Sequence, residues 1–327
     1  MTDLDRAGPP SAAASEPDPR SGRSTPSPRE ERAARLAQLP LVPSGPVSGF
    51  FTGTVSSARG VWSYRELLGL LVRRELKARY KDSALGFIWS LVRPLSLLLV
   101  YYIAIGQFLG AARGPNAIPD FAVYIFSGLT AWQLFSEIIG AGTGSIVNNS
   151  GLVKKIYLPR EVFPLSVIGS ALFNFVIQLV ILYAATLIAG DPPSPGRLVW
   201  VLAGTVLLLV WATALAFALS AINVYLRDVQ YLVEIVLMFG FWLSPVVYAW
   251  QNVAGELKGG LENIYLANPV TLSVAAFHRG IWVKGSTLPQ PADLGLRMVF
   301  NVAVGLVVLW LCQRLFARLQ SNFAQEI

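Results

Sequence analysis

Two runs without a single charged side chain constrain this chain more than any other feature. No Asp, Glu, Lys or Arg occurs between Glu161 and Asp191, or between Arg197 and Arg227. A helix needs roughly 20 apolar residues to cross a hydrocarbon core, so either run is long enough to span. In water, such a helix would have no polar face to turn outward. Composition agrees: 54% of the 327 residues are hydrophobic, 14% are charged and the mean hydropathy is +0.53. An ordinary soluble domain carries about 25% charged residues. The chain is therefore expected to be an all-α integral membrane protein, because helices satisfy their own backbone polar groups in lipid.

Clusters of turn formers, GAARGPNAIP, NNSG, GDPPSPG and QNVAGELKGG, divide the apolar sequence into six expected transmembrane helices. They run at about 85–110, 119–142, 161–189, 198–222, 230–250 and 295–315. Residues 1–45 are rich in Pro, Ser, Ala and Arg and hold no aromatics, which predicts a disordered cytoplasmic tail. The first forty residues also lack the apolar run of a secretory leader. Residues 46–327 form the expected membrane domain.

The stretch 61–81 reads as an N-terminal amphipathic interfacial helix. Tyr64, Leu67, Leu68, Leu71 and Val72 share one face, and Glu66, Arg73, Lys77 and Lys81 the other. Leu70 and Glu75 break this pattern. Between the fifth and sixth spans, 263–277 is largely apolar but too short to cross, and Asn268 with Pro269 interrupts it. Two short re-entrant helices fit that pattern.

Lys and Arg gather in loops that stay cytoplasmic. Arg73, Arg74, Lys77, Arg79 and Lys81 precede the first span, Lys154, Lys155 and Arg160 follow the second, and Arg314 and Arg318 end the last. Both termini are thus expected in the cytoplasm. The net charge of +7 is explained by these loops without nucleic acid.

No motif for catalysis stands out. The sequence has no G-x-x-x-x-G-K-[ST], so ATP binding through a P-loop is not expected of it. One cysteine, Cys312, excludes a Cys-cluster metal site, and one histidine, His278, argues against a His-based zinc or haem centre. Glu137 and Glu234 fall inside expected spans, where carboxylates are functional candidates by default. Rows of aromatics, Tyr101 with Phe108 and Phe239 with Trp242, are candidates to line a channel and contact sugar rings. The loop 145–160 joins turn residues to a basic helical turn that could seat in a groove of a soluble partner.

Four segments in order resemble polysaccharide-exporting ABC permeases, the Wzm/TagG-like family: RYKDSALGFIWSLVRPL (79–95), LVKKIYLPREVFPLS (152–166), NVYLRDVQYLVEIVLMFGFWLSPVVY (223–248) and ANPV (267–270). The likeness runs from about residue 60 to the end. It implies a second copy of the chain, two copies of a separate ATPase subunit that binds ATP and Mg, and a channel for a lipid-linked polysaccharide. It implies a bacterial cytoplasmic membrane and O-antigen, teichoic acid or cell-wall galactan cargo. By the same resemblance, 61–81 is the interfacial helix, 145–158 the coupling helix with Lys154, Lys155, Arg160 and Glu161 near the ATPase, and 256–282 the re-entrant helices. An ion-gradient-driven lipid or glycolipid flippase and a membrane-embedded transferase are the competing readings of the residues.

Overall fold

A computed structural model describes residues 52–80, 88–113, 117–155, 158–254, 256–257 and 260–327. The expected tail at 1–45, Lys81 and the middle of the first family-like segment lie outside them. All described residues belong to one compact unit, Pro46–Ile327.

The described chain is helical, and strands do not occur among its described residues. Two amphipathic helices come first, α1 (Thr52–Ser63) and α2 (Arg65–Tyr80). The spans α3 (Ile88–Tyr101) and α4 (Phe121–Gly144) follow, with α3 continuing through wider π-type turns to Phe108. A short α5 (Ser150–Lys155) leads into α6 (Val162–Ile188), α7 (Pro195–Tyr225) and α8 (Val229–Trp242). Then come α9 (Trp250–Ala254), α10 (Gly260–Ala267), α11 (Pro269–Ile281), α12 (Leu294–Leu319) and α13 (Phe323–Glu326).

Among the described residues, five helices are long and apolar enough to cross a membrane by length and composition: Leu91–Phe108, Phe121–Gly144, Val162–Ile188, Pro195–Tyr225 and Leu294–Asn322. With the shorter apolar helix Val229–Trp242, the fold is that of an all-α membrane protein, as expected. The helix expected at 230–250 is regular only over the 14 residues of α8, about 21 Å against a core of about 30 Å. Pro245 accounts for the break, because a proline drives the residue before it out of helical geometry. The resulting turn is buried and pinned, with the Tyr124 hydroxyl donating to the Tyr248 carbonyl at 2.6 Å.

The core forms where α4 and α7 meet, flanked by α6, α11 and α12. Close approach there needs small residues. At Gly128 a Cβ would stand 2.9 Å from the Val246 carbonyl oxygen, so the turn after α8 lies directly on α4. Asn268 and Pro269 interrupt the 263–277 stretch as the sequence suggests. Asn268 is the N-cap of α11, its Oδ1 accepting from the Val270 amide at 2.9 Å, and Pro269 occupies the first turn. Nearly every residue of α11 is buried, so it is a core element rather than an external loop. Its far end is tied by Trp282 Nε1 donating to the Pro119 carbonyl (2.6 Å) and by Lys284, which pairs with Asp120 and Asp191 at 2.9 Å each.

Candidate coupling platform

At the end of the bundle rich in Lys and Arg, α2 lies along α6. Leu71 is buried, and a Cβ at Gly169 of α6 would stand 2.7 Å from Val72 Cγ2. The face expected to be apolar therefore packs on protein. Glu75, which breaks the amphipathic pattern, is explained by the same contact. Ser166 Oγ donates to its Oε1 at 2.9 Å and Ser170 Oγ to its Oε2 at 3.0 Å. Leu70, the other exception, is exposed.

A second polar link joins α2 to α4. Arg79 Nη1 donates to Glu137 Oε1 at 2.5 Å, and Asn174 Nδ2 of α6 donates to the same oxygen at 2.7 Å. The Glu137 side chain is 12% exposed and that of Arg79 43%. The carboxylate inside the second span is thus engaged by a neighbouring cation. Arg74 reaches the Asn149 side chain, whose Nδ2 donates to the Ser145 carbonyl at 2.7 Å. Arg73 and Lys77 remain exposed.

The loop from α4 to α6 is anchored by Ile146 and Val153, both buried in a cluster with Phe163, Phe217, Phe316 and Phe323. Lys154 and Lys155 project from α5 and are exposed, with Lys154 Nζ donating to the Ile327 carbonyl at 2.6 Å. The Arg160 guanidinium lies 5.7 Å from the ring centre of Phe323. Glu161 differs from these cations. It is only 4% exposed, accepts from Ser57 Oγ of α1 at 3.2 Å, and sits at the start of α6, where the helix dipole favours an anion. It faces the interior, so the outward surface of this loop is basic.

Sequence reasoning missed the other walls of the platform. α1 supplies Ser57, and Phe323 plugs into Tyr225 and Phe316 with ring centres 6.2 and 5.6 Å away. The visible signal for Phe323 was one large apolar residue in the polar stretch QSNFAQEI.

The aromatic candidates fall on α3 and α8. Tyr101 is half-buried with its ring 5.6 Å from that of Phe241. Phe108, Phe239 and Trp242 are 84%, 60% and 55% exposed. Glu234 is exposed on α8.

Comparison with known proteins agrees with this architecture. The model of the family described as ABC-2 type transporter matches residues 66–282. The chain is 33% identical to an O-antigen export system permease protein, RfbA, of Myxococcus xanthus, over 82% of this chain and 98% of that protein. It is 29% identical to an RfbA of Klebsiella pneumoniae, over 68% of this chain and 82% of the relative. It is 23% identical to the polysialic acid transport protein KpsM of Escherichia coli, over 70% and 88%. On the family match from α2 to the end of α11 and the identity across nearly the whole of the Myxococcus relative, the chain is a member of the ABC-2 type transporter family.

Proposed function

We propose that this chain is the membrane-spanning subunit of a bacterial exporter for a lipid-linked polysaccharide, driven by ATP hydrolysis in a separate subunit. The observation that carries the reading is the likeness to an O-antigen export permease over 98% of that protein's length. Cargo of O-antigen or polysialic acid type agrees with the names of the relatives better than teichoic acid or galactan. In this reading the basic end faces the cytoplasm, both ends of the chain lie there, and two copies assemble with two ATPase subunits. Lys154, Lys155 and Arg160 form a cationic edge for acidic groups of the ATPase, and Arg73 and Lys77 lie toward anionic headgroups. Tyr101, Phe108, Phe239 and Trp242 contribute to the glycan path between copies. For the ion-driven flippase reading, Glu137 is a poor relay, because its shared oxygen is engaged by Arg79 and Asn174.

Reversing both charges, Lys154→Glu with Lys155→Glu, is expected to lower ATP-dependent export by about tenfold, since misplaced like charges at an interface cost more than a kcal/mol. Abundance should hold, because both side chains are exposed. Export and membrane abundance measured together in a strain lacking the native permease check this. Unchanged export at normal abundance would remove the docking role from this loop.

A further inference from the structure

Among the described residues, two neighbouring helices lack partners on their outer faces. Of the most apolar stretch of α3, Leu91–Phe108, only 6% is buried, and α8 buries only Val233 and Phe241. The two helices meet where Tyr101 and Phe241 are 5.6 Å apart, and with alternate crossings they run in the same direction. Their outer surfaces are apolar: Val100 is 58% exposed on α3, and Leu232 and Met238 are 59% and 58% exposed on α8.

Each of these apolar faces bears one charge. Arg93 follows the start of α3 at Ile88 by five residues, and Glu234 follows the start of α8 at Val229 by five. Counted back from the Tyr101–Phe241 contact, they stand eight and seven residues away, hence at matching depth. Both are exposed, and neither has an ion-pair partner among the described residues. No ion pair joins them within one chain among the described residues. Eight residues turn a helix by about 80° beyond two full turns, so Arg93 stands about a quarter turn off the side where Tyr101 meets α8.

A charge on an apolar face near membrane depth is costly unless paired. We propose that Arg93 of one copy and Glu234 of a second copy form an ion pair where the two copies meet. Two-fold symmetry then makes the contact twice, since residue i meets j and j meets i. A lipid phosphate would satisfy Arg93 and leave Glu234 alone, whereas a second copy satisfies both. The inference rests on the reading that two copies form the transporter and adds which residues set their register.

The test uses the full chain expressed with its ATPase. Cys312, the one native cysteine, is replaced by Ser in two differently tagged copies, one carrying Arg93→Cys and the other Glu234→Cys. A short bismaleimide added to membranes is expected to give a cross-linked product bearing both tags. In charge-reversal experiments, R93E and E234R should each lower recovery of one tagged copy with the other by about tenfold or more. The double reversal should restore recovery to within about threefold of the parent, the signature of a direct pair. Copies that co-purify without cross-linking would overturn the pairing and leave the two-copy assembly standing. A double reversal no better than the singles would likewise overturn it. Copies that never co-purify would overturn both.

Discussion

Phe277→Ala is expected to destabilise the protein by about 3–5 kcal/mol, the range for truncating a fully enclosed Phe. Phe277 is 0% exposed, its ring centre lies 6.0 Å from that of Phe175, and a Cβ at Gly204 would approach it to 3.1 Å. It thus fills the seam where α11 meets α6 and α7. Lipid tails are as apolar as the seam, so transfer contributes less here than in water, but the lost packing contacts remain. The void has no easy way to close, because α11 is held at one end by its Asn268 cap and at the other by Trp282 and Lys284. Thermal unfolding in detergent and membrane abundance should both fall, with Phe277→Leu milder. Parent-like melting of the Ala variant would mean that α11 is not a core element.

The second large effect is expected at Glu137. Replacement by Ala removes the acceptor of the Nδ2 bond of Asn174, itself 6% exposed, and the ion-pair partner of Arg79. Removing one partner of a buried hydrogen bond costs about 1–3 kcal/mol. The Arg79 half is discounted because that side chain is 43% exposed and screened by water. Coupling should suffer more than stability, since this contact and Glu75 are the polar ties that hold α2 to α4 and α6. We expect ATP-dependent export to fall about tenfold, the factor set by some 1.4 kcal/mol of lost alignment. Glu137→Gln keeps an acceptor for Asn174 and should fall between. Normal export by the Ala variant would make the network incidental to transport.

How much of this was legible in the sequence depended on whether the governing interaction was local. The charge-free runs placed α6 and α7 because solvation alone forbids another environment for them. Asn268 and Pro269 marked the start of α11 because capping and proline geometry act over one helical turn. Pro245 was an equally local signal, and the fifth apolar helix ends before it because hydropathy averages across a break that proline geometry makes. Pairwise tertiary contacts were not legible. Glu75 looked like a flaw in an amphipathic helix until Ser166 and Ser170 were seen to face it. Glu161 read as a surface charge in a basic loop, yet Ser57, 104 residues earlier, encloses it. Phe323 seals the platform through rings on α7 and α12 that no local spacing connects to it.

The proposed function is ATP-driven polysaccharide movement by this chain together with a separate ATPase. Its most direct test is reconstitution in vesicles, with the permease, its cognate ATPase and a lipid-linked polysaccharide of O-antigen type placed on the outer, ATP-accessible face. Glycan that becomes protected inside the vesicles is then measured against time. Protection is expected only when both subunits and ATP are present, and none from an imposed proton or sodium gradient. Protection driven by an ion gradient in vesicles holding this chain alone would contradict it.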